Sequence, residues 1–496
     1  MVTDRYRRSH RLLLLLLIAH VVIITLFAWI ARFPVAVWDD MLEAWAWGKQ
    51  FELGYYKHPP LYAWITGIWF KIFPRTDLAF YSLSGLNIGL SLAGVWLLSG
   101  LLLDKYARFP AVALLLFAPS HHYMATNFNA NTIQLSLWPW AAFFFVRSLQ
   151  SKGWKDGTWF GVIGGCAMLS KYSSILFLVS CFFAALLHPD RRSYFRSAAP
   201  YCAVFACAIF FAPHAWWAWE NGLVTVHYAL GKGLRPWWQN TYSALNATVV
   251  GIMANAASTA VLLVALGRRW PALIGQLGHS WTTHENLWLT VLGAGPLLLT
   301  LLLGVVGYIK VTPNYLIPTV YLLPLLACRA LGATLTYKHV GNITRWAAAF
   351  MLFSLSVAPV IAYASVAFRI EDKTQVSRQV AQLSTSLWKE RVAAPLRIAT
   401  GTEQFSLALS FYSPDSPAEF THYSLQQAPW ITRERIAREG ILCACAAKDK
   451  VCIEAARVYA TERTEHLPLT LQNNFWGLRG PPTDVALIIT APIVNR

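Results

Sequence analysis

The sequence predicts an α-helical polytopic membrane protein of about eleven spans with a small C-terminal α/β domain outside the membrane, on three observations. Of its 496 residues 56% are hydrophobic and 13% charged, where a soluble chain carries roughly a quarter charged residues. Mean hydropathy is +0.43. The apolar runs stop near Phe368, and the chain from Arg369 to Arg496 alternates short apolar runs (PLRIAT, LALSFY, DVALIIT) with polar and Gly/Pro turns. This is the pattern of a compact α/β domain.

The first element follows Arg5, Arg7, Arg8 and Arg11 and runs without a charge from Leu12 to Ala31, about the length that crosses a ~30 Å hydrocarbon core. A cleaved signal peptide has a shorter core and a small-residue cleavage site, so this reads as a retained helix. Further spans are expected to begin near residues 84, 109, 132, 157, 172, 198, 243, 287, 315 and 346. The loops between alternate spans hold Lys105 and Arg108, then Arg147, Lys152 and Lys155, then Arg191, Arg192 and Arg196, then Arg268 and Arg269, then Lys338 and Arg345. Basic residues at these intervals follow the positive-inside rule with a cytoplasmic N-terminus. The formal charge of +17 is thereby explained without nucleic acid, and an odd number of spans puts the C-terminus outside.

The membrane domain is expected over residues 1–368 and the outer domain over 369–496. A long loop, residues 32–83, carries Trp38, Trp45, Trp47, Tyr55, Tyr56, Tyr62, Trp64 and Trp69. Such rings favour the bilayer interface, so the loop is expected as juxtamembrane helices on the outer face. Cys166, Cys181, Cys202, Cys207 and Cys328 lie in apolar spans and read as small hydrophobes. Cys443, Cys445 and Cys452 lie in the outer domain, where Cys452 can bridge to either of the other two in an oxidising compartment.

Three carboxylates, Asp39, Asp40 and Glu43, follow the first span directly. Ionisable groups beside lipid are costly and tend to be functional; the plainer role is a helix cap, with Glu43 near N3 of a capping box. The segment they open, Asp40, Trp45, Trp47 and then GYYKHPPLYAW, resembles the first outer loop of bacterial GT-C glycosyltransferases of the PMT type. That group includes protein O-mannosyltransferases, aminoarabinose lipid A transferases and, with the most similar pattern, rhizobial galacturonosyl transferases of lipopolysaccharide. Further motifs in the same order are NFNANTIQLSLWPW at 127–140, GCAMLSKYSSILF at 165–177, PHAWWAWENG at 213–222 and KVTPNYLIPTVY at 310–321.

The resemblance implies a GT-C-like membrane domain in the bacterial inner membrane that moves a sugar from a polyprenyl-phosphate carrier to a periplasmic-side acceptor, lipid A or lipopolysaccharide core. It implies Asp40 as the catalytic carboxylate, with the Asp39–Asp40 pair resembling the rhizobial branch and its galacturonic acid donor. A base that takes the acceptor's proton as the phosphate leaves is what this transfer requires, and a single carboxylate serves for direct inversion. Lys171, in LSKY, resembles the family lysine at the carrier phosphate, although a lysine at a membrane boundary also snorkels to water. Lys232 and Lys310 stand in outer loops against the positive-inside trend, with Arg235, and Tyr315 stands where the family has a Tyr near the phosphate. Tyr56, His58, Asn131 and Glu220 are further substrate-binding candidates within the shared motifs.

The resemblance also brings in a divalent metal ion, with His227 and His58 as candidate ligands, but neither has a partner at metal-ligand spacing. Relatives usually carry Asp or Glu where Lys57 stands, so Lys57 is expected to meet the phosphate as a point charge. Asn131 replaces an Asp of many relatives, and an amide hydrogen-bonds but cannot act as a base. The alternative class is a lipid or sugar transporter or flippase, which favours inverted repeats and Gly/Pro-broken helices at the midplane. No matching halves are visible here, and the notable charges lie at span ends. A scaffold subunit with the same fold and no activity is the third reading, and it conflicts with the presence of Asp40 and Lys171.

Overall fold

The computed structural model describes residues 2–233, 235–267, 286–307, 309–332, 335–368 and 372–493. Arg268, Arg269 and the domain boundary expected at residue 369 lie outside the described residues. Among the described residues six helices are long and apolar enough to cross a membrane: Arg11–Ala31, Asp77–Leu102, Ala199–Glu220, Trp237–Leu266, Leu287–Val305 and Lys338–Ala367. A seventh candidate is the bent pair Pro313–Thr319 and Leu322–Leu331.

The spans expected near 109, 132, 157 and 172 are shorter or broken. Lys105–Ala113 passes into 3-10 turns at Leu114–Phe117, Pro119–His121 and Tyr123–Thr126. Gln134–Ser151 contains Pro139, Trp154–Ser170 has 17 residues, and Ser174–Leu187 has 14. The break before Gln134 has a local cause. Asn129 Oδ1 accepts hydrogen bonds from the backbone N–H groups of Asn131 and Thr132, and such side-chain bonds compete with continued helix.

The chain forms two compact units. One comprises residues 1–25, 53–62 and 82–355; the other comprises 26–52, 63–81 and 356–496. In the first unit, small residues let two helices touch backbone to backbone. A Cβ on Gly157 would stand 2.1 Å from the carbonyl oxygen of Ala199, and one on Gly161 would stand 2.1 Å from that of Ala203. The Gly157, Gly161 and Gly165 repeat therefore fixes Trp154–Ser170 against Ala199–Glu220, since lipid offers no hydrophobic drive between helices and close packing must supply the attraction.

The second unit contains a five-stranded sheet of order β2-β1-β3-β5-β4, with β1 Ile398–Gly401, β2 Ala418–Glu419, β3 Ile441–Ala446, β4 Thr464–Phe475 and β5 Leu478–Thr490. β1 pairs in parallel with β2 and β3, in register Ala399 to Glu419 and Thr400 to Cys443. β3 with β5 and β4 with β5 are antiparallel, Cys443 facing Ile488. Ile398, Phe420, Ile431, Ile441, Cys443 and Ile488 form its core. The run PLRIAT enters β1 and DVALIIT lies in β5, whereas LALSFY lies in the helix Glu403–Tyr412. The bridge is Cys445–Cys452, and Cys443 is buried as a free thiol.

The same unit holds the helix Asp39–Gly48 and most of Leu61–Ile72. The two cross where a Cβ on Gly48 would meet the carbonyl oxygen of Ala63 at 2.1 Å and one on Gly67 would meet that of Gly48 at 2.3 Å. Trp45 and Trp47 are buried, as are Tyr55, Tyr56 and Tyr62 of the first unit. These five rings thus pack in the protein interior. Ring burial gains more apolar area than an interfacial position does.

Candidate active site

The break in the LSKYSS sequence creates the first feature of the site. The helix Trp154–Ser170 ends with Lys171 in an extended conformation (φ −160°, ψ 136°), and the next helix starts at Ser174. The Lys171 ammonium donates to Asn131 Oδ1 and stands 3.7 Å from the centre of the Tyr315 ring. An Asp at position 131 would neutralise that ammonium; an amide orients it and leaves its charge in place.

The GYYKHPP loop is fixed on the same unit by a chain of bonds. Tyr172 Oη and His214 Nε2 are 2.7 Å apart, and His214 Nδ1 is 2.8 Å from the carbonyl oxygen of Leu53. Thr225 Oγ1 donates to the Tyr55 carbonyl at 2.9 Å, and the Tyr55 N–H donates to the His58 carbonyl at 3.1 Å. Gly54 is required here: a Cβ would fall 2.2 Å from the Trp217 ring. The Gly-rich contact between Trp154–Ser170 and Ala199–Glu220 therefore sets both Lys171 and, through His214 and Trp217, the loop that carries Lys57 and His58.

These residues line one cavity of about 350 Å³. Lys57, His58, Lys171, Lys232, Lys310 and Tyr315 supply its polar groups, and Ile175, Leu176, Val226, Leu230, Leu303 and Ile309 supply an apolar wall. Lys232 caps the helix Val224–Gly231, with its ammonium 4.5 Å from the Tyr228 ring centre. Tyr228 also meets Tyr56 edge to face at 5.7 Å and His58 at 6.3 Å. Burial first, and then the charges of Lys171, Lys232 and Lys57, hold the His58 imidazole well below its ordinary pKa and therefore neutral. Four ammonium groups on one small cavity make an anion site, and the adjoining apolar wall suits a ligand with a hydrocarbon part.

The sequence candidates divide accordingly. Lys57, His58, Lys171, Lys232, Lys310 and Tyr315 are brought together, and Asn131 and Tyr56 stand behind the lining through Lys171 and Tyr228. Glu220, His227 and Arg235 are exposed and do not line the cavity. Asp39, Asp40 and Glu43 belong to the other unit. The lining residues contain one histidine and no carboxylate, and among the described residues no three of His, Cys, Asp and Glu are grouped as metal ligands. This donor set does not fit a divalent cation held by the protein.

In the second unit Trp38 is the N-cap of the helix Asp39–Gly48 and makes no side-chain capping bond, so Asp39 and Asp40 occupy the first turn. The capping box expected with Glu43 at N3 does not form, because the helix starts at Asp39 and Glu43 falls one turn in, buried. Both Asp residues still complement the helix dipole. Asp39 is half-buried and Asp40 exposed. Burial pushes the Asp39 carboxyl up to about 6, with Asp40 and Glu403 adding to the rise and Gln404 and Arg32 opposing it. His214 and Tyr172 are absent from the sequence candidates. Only His214 offers a signal there, as an ionisable residue within an apolar helix.

Comparison with known proteins bears on the fold and on part of the chain. Residues 57–217 match the family model described as dolichyl-phosphate-mannose-protein mannosyltransferase. The fold is shared with ArnT from Cupriavidus metallidurans. The form bound to undecaprenyl phosphate aligns with a TM-score of 0.61 at 12% identity, over 95% of this chain and 97% of that one. The apo form aligns at 0.56 and 11% identity, over 91% and 93%. The likeness to the ArnT structures is one of fold, and the matched segment is similar to part of the mannosyltransferase family, in line with the class its motifs resemble. Among relatives, the lipid A galacturonosyltransferase RgtD of Rhizobium johnstonii is 25% identical over 201 residues, 38% of this chain. The chain matches 40% of that relative's length.

Proposed function

We propose that this protein transfers a sugar from a polyprenyl-phosphate donor to an acceptor hydroxyl of lipid A or lipopolysaccharide core, on the periplasmic side of the bacterial inner membrane. The observation that carries the reading is the cavity lined by four lysines together with apolar side chains, matched to a phosphate joined to a hydrocarbon tail. In the reaction the acceptor oxygen attacks C1 of the sugar as its proton passes to the Asp40 carboxylate. The bond between C1 and the phosphate oxygen breaks, and polyprenyl phosphate leaves with inversion at C1. Lys171, Lys57, Lys232 and Lys310 stabilise the charge that develops on the leaving phosphate, which is the larger part of the catalysis. Galacturonic acid as the sugar is supported by the similarity to the rhizobial relative and by the Asp39–Asp40 pair.

The test is transfer of labelled sugar from a panel of polyprenyl-phosphate sugars to lipid A, lipopolysaccharide core and peptide acceptors by the purified protein. Transfer to a lipid A or core acceptor is expected. A well-folded protein inactive with every donor would overturn the reading in favour of a transporter.

A further inference from the structure

The hairpin of β4 and β5 packs against the ends of two membrane spans. Phe475, the last residue of β4, is buried on Ala362 and Val366 of the span Lys338–Ala367, with Leu478 of β5 beside it. Its ring also meets that of Phe33 at 6.3 Å, just past the end of the span Arg11–Ala31. The Asn473 amide donates to the Pro34 carbonyl at 2.8 Å, at a register shift between Gln472 and Asn474 that bends the strand there. On the other strand, a Cβ on Gly480 would stand 2.5 Å from Gln375 Oε1, and the Gln375 amide donates to the Ser365 carbonyl at 3.1 Å. All these groups belong to the second unit, so the hairpin tip is held at the level where both apolar helices stop.

The tip carries a residue its backbone disfavours. Phe475 pairs with Leu478, which leaves Trp476 and Gly477 as a two-residue turn with φ of 49° and 79°. Such a turn favours Asn or Asp followed by Gly, because both central residues are left-handed. Trp476 stacks on Phe475 at 5.0 Å and is still 77% exposed, and a Cβ on Gly477 would meet nothing within 4 Å. Phe33 and Phe368, just past the ends of the same two spans, are 51% and 77% exposed, and Arg479 is exposed on the strand that leaves the turn. Rings at span ends match the headgroup zone, where an indole has its apolar body in lipid and its N–H in water. A guanidinium at the same level suits lipid phosphate.

We propose that the tip of the β4–β5 hairpin is a membrane-contact surface: Trp476 enters the headgroup region of the bilayer that the two spans cross, on the face where both of them end. The contact fixes the height of the C-terminal sheet above that surface, and with it the height of the helix Asp39–Gly48 in the same unit. It does not depend on sugar transfer. The test places a nitroxide on the full-length protein in nanodiscs of phosphatidylethanolamine and phosphatidylglycerol, through Trp476→Cys, Asn474→Cys or, as reference, Glu462→Cys, with the wild-type signal subtracted. Glu462 is exposed near the far end of the 12-residue strand β4, roughly 35 Å from the tip at ~3.3 Å per residue. Collision with oxygen, which concentrates in lipid, is compared with collision with a nickel chelate, which stays in water. The oxygen-to-nickel ratio is expected to be several-fold higher at 476 than at 462, with 474 between them. Equal ratios at all three positions overturn the proposal, whether or not the protein transfers sugar. A tip label shielded from both reagents also overturns it, since protein then covers the hairpin. Asn474→Cys leaves the turn untouched and decides the question alone if Trp476→Cys does not fold.

Discussion

Replacing Lys171 by Ala removes one of four ammonium groups from the cavity together with its contacts to Asn131 and Tyr315. A unit-charge contact at about 4 Å is worth roughly 4 kcal/mol at an effective dielectric of about 20. Water fills part of the vacated space and three lysines remain, so the net loss falls to about 1.5–3 kcal/mol, the range for a hydrogen bond to a charged group. At tenfold for each ~1.4 kcal/mol, polyprenyl phosphate should bind about 10- to 100-fold more weakly. The assay is titration of polyprenyl phosphate into purified protein in nanodiscs, beside the uncharged polyprenol. The alcohol gains nothing from the ammonium, so its affinity should be equal for wild type and Lys171→Ala. Affinity for the phosphate within about twofold of wild type would refute the placement of the phosphate in this cavity.

Other expectations follow from the same geometry. Gly161→Val drives a side chain into the Ala203 backbone, where even a Cβ stands at 2.1 Å; overpacking of this kind costs about 1–3 kcal/mol or more, so thermal unfolding should come several degrees earlier. Asp39 has a folded-state pKa raised from 3.8 to about 6, a liability that is absent below the lower value and complete above the higher one. Asp39→Asn should therefore unfold at the same temperature as wild type near pH 4 and at a higher one near pH 8. Loss of the Cys445–Cys452 bridge, which closes a loop of sequence separation 7, should cost the C-terminal domain about 2–3 kcal/mol, read as a lower unfolding temperature in Cys445→Ser/Cys452→Ser. EDTA should leave carrier-phosphate binding unchanged, since the cavity presents lysines and no carboxylate; a loss restored by a divalent cation would contradict this.

Long apolar runs, basic loops and the change of composition near Phe368 made the membrane domain and the small C-terminal α/β domain legible in the sequence, because hydrocarbon imposes length and charge rules on every span. The number of unbroken helices was not legible. Local bonds such as those of Asn129 to Asn131 and Thr132 interrupt runs that hydropathy alone continues. Of the site, Lys57, Lys171, Lys232, Lys310 and Tyr315 could be singled out as charges and rings out of place at span ends, and the fold gathers them. Glu220 and His227 had the same kind of signal and lie elsewhere, since spacing along the chain does not say which side of a helix end faces a cavity. The burial of Trp45 and Trp47 was hidden for a related reason. Trp45 and Trp47 suit an interface or a core equally well, and the choice is made by the Phe411 and Ser410 groups that arrive from the C-terminal domain.

The most direct measurement is the release of polyprenyl phosphate from a polyprenyl-phosphate galacturonic acid donor mixed with lipid A, by wild type and by Asp40→Asn with carrier binding checked in parallel. The account predicts acceptor-dependent release by wild type and none above background by Asp40→Asn, with carrier affinity preserved. Release by Asp40→Asn at the wild-type rate would contradict it.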